Sequence, residues 1–340
     1  MTFINRIIKG LDSLISTIAI SLLLILMLFG SYALYDVYKV YDQAKLDDDI
    51  ATLRPQTKGT SFNLSDVQKL NKDIAGWIIV DDTNIDYPIL HGKDNSEYLS
   101  INYKGEYAAA GSVFLDYRND KFTNDYSIIY AHNMNANLMF GEIKNYKDEV
   151  FFKHHLTGRL YTDEGVYKLE ILSYAMVSAY DNLVYGLSSY KNGRNFEIAK
   201  HIESNTIHDN NISDVKDEKL LLLSTCDASG VNERSILLAK LTKLEEKEIK
   251  TIAKNDKKVE KLKKDKEEKE KKDIFKYVDL WDLLFIICLL IVVIIYIILF
   301  IIKNKSKKKR KKKSNKKKIS SKEKFKMIDD EDIEFIDLKK

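Results

Sequence analysis

Two cysteines are all that this 340-residue chain has, and they are not placed to bond each other. Cys288 lies inside a charge-free apolar run, residues 283–302, whereas Cys226 lies in the long segment that precedes it. A disulfide framework is therefore excluded for that segment. No CxxC, HExxH or comparable ligand spacing occurs, and the adjacent His154 and His155 point in different directions in either a strand or a helix. The sequence thus supports neither a metal site nor a cofactor. Internal repeats are also absent.

Charge is missing from a second stretch, residues 14–35. Each uncharged run has about the 20 residues needed to cross a ~30 Å hydrocarbon core. The first is too long in its apolar core for an ordinary cleavable signal and is read as an uncleaved anchor. Arg6 and Lys9 precede it, and Asp36, Asp42, Asp47, Asp48 and Asp49 follow it. Behind the second run, twelve of the sixteen residues Lys303 to Lys318 are Lys or Arg. Positive charge flanks both runs on the same side. This predicts two plasma-membrane spans, cytoplasmic termini and an extracytoplasmic segment of residues 36–280. A nucleic-acid patch is the weaker reading of the basic run, because it adjoins a span and suits anionic lipid. No nucleic-acid partner is expected.

Composition divides the chain further. Residues 1–35 form the N-terminus and anchor, 36–64 a charged stalk with Pro55 and Gly59 as breakers, and 65–242 the globular domain. Residues 243–278 are a Lys/Glu-rich linker read as helical, 279–302 the second span, and 303–340 a basic then acidic tail. Within the domain, apolar alternation predicts strands over 77–80, 85–90, 112–116, 126–131, 166–176, 219–225 and 235–241. Helices are expected over 138–146 and 196–205, with a short one capped by Ser65. Many strands and few helices favour a mainly antiparallel sheet or barrel.

An exported domain with one thiol exposes it to oxidation, so Cys226 is read as a reactive group. It ends the run Leu220-Leu221-Leu222-Leu223-Ser224-Thr225-Cys226. His132 likewise ends a β-like run, Ser127 to Ala131; the other histidines are His91, His154, His155, His201 and His208. A hairpin through residues 228–231 would return Arg234 beside Cys226, where a guanidinium could hold a carbonyl or an oxyanion. Thiol, imidazole and guanidinium are the elements of an acyl-transfer site.

These motifs resemble the sortases, membrane-anchored cysteine transpeptidases of Gram-positive bacteria. Ser224-Thr225-Cys226 with Arg234, Tyr130-Ala131-His132-Asn133-Met134, Gly76-Trp77-Ile78, Thr83 to Pro88, Ala110 to Asn119 and Met139-Phe140-Gly141 are similar to the class B branch and occur in its order. The resemblance covers about residues 65–242. It implies a sortase-type β-barrel with short helices, here flanked by two transmembrane helices. It also implies Cys226 as nucleophile, His132 as general acid/base and Arg234 as substrate-positioning, oxyanion-stabilising group, with Tyr130, Ser224 and Thr225 lining the groove. The implied reaction cleaves a C-terminal sorting motif of surface proteins through a thioester. The acyl group passes to an amine of cell-wall peptide. Two departures stand out. Ala131 replaces the branch's usual glycine, and a second span resembles the pilin-polymerising sortases, so a pilin subunit is the alternative acceptor. A hydrolytic cysteine protease and an inactive surface-protein scaffold are the remaining alternatives.

Overall fold

The computed structural model describes residues 3–55, 62–187, 194–212, 215, 218–226 and 232–252. The second apolar run, Cys288, the basic tail and most of the charged linker lie outside these residues, as does the turn at 228–231. The strands are β1 (Ile74–Val80), β2 (Asp86–His91), β3 (Val113–Leu115), β4 (Tyr126–Tyr130), β5 (Thr157–Thr162), β6 (Gly165–Ser178), β7 (Thr206–Asp209), β8 (Lys219–Cys226) and β9 (Glu233–Lys243). They form one sheet in the order β5-β1-β2-β3-β4-β8-β9-β6-β7, and pairing of β5 with β6 closes its first eight strands into a barrel. Among the described strands, β2–β3 and β4–β8 pair in parallel and the other pairs are antiparallel. The mainly β, mostly antiparallel expectation therefore holds.

Alternation explains the leucine run. Leu221 and Leu223 point into the barrel with Ile129, Leu237 and Ala239. Leu220 and Leu222 face outward, yet are just as buried, beneath Val184, Ile198 and Ile202. Those cover residues come from α5 (Asn182–Tyr185) and α6 (Asn195–Glu203). A strand buried on both faces needs an unbroken apolar run rather than alternation.

A third cluster sits on another outer face. Trp77, Ile79, Leu90 and Phe114 from the barrel meet Ile50, Leu64 and Val67. Ile50 belongs to the one-turn α2 (Asp48–Ala51), and the other two to α3 (Leu64–Gln68). The cap of α3 is Asn63, whose side chain accepts from the Ser65 N–H; Ser65 lies inside the first turn rather than at its cap. The helix read over 138–146 is instead a 3-10 segment, Gly141–Lys147, followed by α4 (Glu149–His154). Asp148 opens α4 by accepting from the Phe151 N–H.

Ahead of the barrel runs α1 (Phe3–Gln43), 41 residues long. At 1.5 Å per residue it reaches roughly 60 Å, about twice a hydrocarbon core. Its most apolar stretch has no buried residue, and it is long and apolar enough to cross a membrane. Beyond it, Ala44 and Ile50 are buried, so the start of the segment read as a stalk packs against the barrel. Asp47 and Asp49 also receive the Tyr103 hydroxyl, at 3.2 and 3.0 Å. Lys104 Nζ approaches the same two carboxylates at 2.7 and 3.1 Å.

Candidate active site

Three neighbouring strands bring the three expected residues to one rim of the barrel. β4 and β8 run parallel, and their last registered pair is Tyr130 with Ser224. The Ala131 N–H still donates to the Ser224 carbonyl at 3.3 Å. His132 and Cys226 each follow that pair by two residues. On the other side of β8, Cys226 pairs with Arg234 of β9. Strand pairing thus sets the backbone of Cys226 beside that of Arg234, and His132 follows the end of the neighbouring strand. Arg234 is half-buried at its strand entry.

His132 is half-buried, and its Nε2 lies 2.8 Å from the carbonyl oxygen of Leu99. The chain after it folds back: the Phe140 N–H donates to the His132 carbonyl at 3.1 Å, and Asn133 bridges Met139. The Met139 N–H in turn donates to the buried Tyr87 hydroxyl. Burial raises the Tyr87 phenol above its usual range, so this hydroxyl stays neutral.

The weaker groove candidates fare differently. Ser224 is fully buried, with its hydroxyl 2.9 Å from that of Tyr185. Thr225 is buried too, and its Oγ1 has no hydrogen-bond partner among the described residues. Tyr130 stacks near Tyr185, packs against Phe114, and donates its hydroxyl to Asp116 at 3.0 Å. Burial, and then the Asp116 charge, push the Tyr130 phenol well above its ordinary value.

Asp116 was not singled out from the sequence, yet it organises this end of the sheet. It is wholly buried. Arg118 grips it through Nε at 2.8 Å and a terminal nitrogen at 2.7 Å, and the Arg118 N–H donates at 3.0 Å. Asn95 Nδ2 adds a contact of 2.9 Å. Burial alone would raise this carboxyl, but the Arg118 hydrogen bonds outweigh it and hold it below the ordinary aspartate value. The same Arg118 nitrogen donates to the Tyr185 carbonyl at 2.9 Å, tying the α5 segment to β3 and β4. Its only sequence signal was membership of the Asp116-Tyr117-Arg118-Asn119 motif. Outside the rim, His201 Nε2 meets Asp181 at 2.6 Å, while Asp181 caps α5. Among the described residues, no three His, Cys, Asp or Glu side chains converge to hold a metal ion.

A closed barrel with a thiol and a guanidinium on paired strands and an imidazole just past the end of the next strand fits a cysteine-dependent acyl-transfer enzyme. Residues 78–242 match the model of the sortase domain. Sortase B of Listeria monocytogenes is 35% identical over 211 residues, covering 59% of this chain and 85% of that protein. Sortase B of Staphylococcus aureus is 28% identical over 179 residues, covering 52% and 72%. The crystal structure of a mutant form of Clostridium perfringens sortase B superposes with a TM-score of 0.52 at 29% identity, covering 57% of this chain and 96% of that one. The chain belongs to the sortase family, in its class B branch, and is a cysteine transpeptidase.

Proposed function

We propose that the protein is held to the plasma membrane by α1 and acts on C-terminal sorting motifs of surface proteins through a thioester on Cys226. The observation that carries the reading is the pairing of Cys226 on β8 with Arg234 on β9, with His132 two residues past the end of the neighbouring β4. The Cys226 thiolate attacks the motif carbonyl, and the tetrahedral oxyanion is stabilised by Arg234. His132 then protonates the departing amine, which leaves poorly as an anion. The acyl carbon is now bonded to sulfur. An incoming amine attacks it, gives its proton to His132, and expels the thiolate. One amide replaces another, so no external energy source is needed.

The acceptor assigned here is an amine of cell-wall peptide. Arg234 favours acyl transfer over a papain-type protease, which would place an amide or carboxylate behind its histidine. Here Nε2 of His132 meets a main-chain carbonyl instead.

The test is intact-mass spectrometry of the full chain in detergent with a panel of sorting-motif peptides, with and without triglycine, beside Cys226→Ala. An adduct on Cys226 that passes to triglycine is the expected result. An adduct released only to water would support a hydrolase. No adduct with any peptide, with Cys226→Ala behaving like the parent, would support a scaffold.

A further inference from the structure

The contact between His132 and Leu99 fixes more than the position of a ring. A carbonyl oxygen only accepts, so at 2.8 Å the Nε2 atom must carry the hydrogen. Neutral imidazole has one N–H, and its lone pair therefore falls on Nδ1.

The Leu99 carbonyl is itself held tightly. Leu99 ends a 3-10 turn, Glu97–Leu99, whose start is fixed by Asp94 accepting from the Ser96 and Glu97 N–H groups at 2.8 and 2.9 Å. The Tyr98 carbonyl accepts from the Ser112 N–H at 2.9 Å, and the Ser112 hydroxyl donates to the Ile101 carbonyl at 2.7 Å. Between these bonds lies Gly111, with φ +59°. A methyl group there would stand 2.6 Å from both the Leu99 and Tyr98 carbonyl oxygens. Only glycine allows this backbone to close against the turn.

We infer that the main-chain carbonyl of Leu99, backed by Gly111, is the positioning group that sets the His132 tautomer and leaves Nδ1 as the nitrogen that exchanges protons with the reacting groups. The inference rests on the proposed role of His132 as general acid/base. In the imidazolium both nitrogens carry hydrogen. Nδ1 releases its proton to the departing nitrogen as the C–N bond breaks and its electron pair stays on that nitrogen. Nε2–H remains bonded to Leu99 throughout. In the second half, the incoming amine's proton goes to Nδ1, and the ring never has to turn over.

The test begins with the full chain in detergent, labelled with 15N-histidine, above the pH at which its histidines are neutral. A long-range proton–nitrogen correlation spectrum distinguishes the two tautomers, and His132→Gln identifies the resonance by its loss. A neutral His132 protonated on Nε2 is expected; protonation on Nδ1 overturns the inference. The second arm is Gly111→Ala, with iodoacetamide as the probe and alkylation of Cys226 followed by mass spectrometry. Displacing the carbonyl should blur the single tautomer and slow alkylation by up to about 10²-fold, the scale of a misplacement near 1 Å. A folded variant with parental tautomer and rate overturns the inference. Where Gly111→Ala does not fold, the tautomer of the parent chain decides alone. Undiminished transfer by His132→Ala would defeat the acid/base reading instead, whichever nitrogen carried the proton.

Discussion

The Tyr185 hydroxyl lies 2.9 Å from Ser224 Oγ, and so joins the helical cover of the barrel to the strand that ends in Cys226. Ser224 is fully buried, and a hydroxyl left there without its partner keeps most of its desolvation cost. Tyr185→Phe is therefore expected to lower unfolding stability by about 1–3 kcal/mol. Urea titration read by fluorescence measures this. A change below a few tenths of a kcal/mol would mean that Ser224 has found another hydrogen-bond partner.

Asp116→Asn should be costlier. The buried carboxylate faces a bidentate guanidinium, and the amide would turn donors toward donors. Arg118 keeps 24% of its side chain in solvent. The expected loss is thus about 3 kcal/mol, at the low end for breaking a buried pair.

The same residue gives a pH prediction. The folded-state pKa of Asp116 is depressed, so its contribution is present above the unfolded value, about 3.9. That contribution is lost as pH falls through the lower folded value. The parent chain should lose stability on acidification below about pH 4, and Asp116→Asn should lose less over that window. Parallel slopes for the two proteins in thermal melts between neutral and acid pH would contradict this assignment.

Among the contacts that join the segment after α1 to the barrel, two differ sharply in magnitude. Lys104 pairs with Asp47 and Asp49 at the surface, where solvent and salt screen the attraction. Lys104→Ala should scarcely move the melting temperature. Ile50 is completely buried against Trp77 and its neighbours, and Ile50→Ala should cost about 2–5 kcal/mol. Protease sensitivity near residue 50 should rise in the second variant and not in the first.

Arg234→Lys retains the charge but loses the planar fork. If the guanidinium stabilises the oxyanion, kcat should fall about 10²–10³-fold. The KM for the productive peptide should change less. A kcat near the parental value would reduce Arg234 to a surface position.

Much of the barrel was legible because its strands carry unbroken or alternating apolar runs, as in Trp77 to Val80 and Leu220 to Leu223. The β5 strand was not. Its sequence, Thr157-Gly158-Arg159-Leu160-Tyr161-Thr162, holds a glycine and an arginine where a pattern reading wants apolar residues. The structure explains both. A side chain at 158 would strike the Ile79 carbonyl, and Arg159 reaches Asp81 at 2.6 Å. The short strand β7 offered only four residues to detect. At the rim, the pairing of Cys226 with Arg234 was legible from the apolar runs on either side of a turn, whereas His132 was one of six histidines and drew its proposed role from the family resemblance. Asp116, Asn95 and Tyr185 were not, since they meet only after distant loops close. The Leu99 contact is made by a main-chain atom, which side-chain identity does not announce.

The burial of Ala44 and Ile50 also bears on how the enzyme would meet its substrates. A flexible linker lets a domain sweep a volume that grows with linker length, and trades local concentration for reach. Here Ala44, Leu46 and Ile50, which follow α1 directly, share apolar surface with the barrel, leaving little slack between helix and barrel. With α1 embedded in a membrane, the catalytic rim would work at a set height above it. The length of chain between a substrate's own anchor and its scissile bond would then act as a ruler. Surface proteins with sound sorting motifs at the wrong height would be passed over.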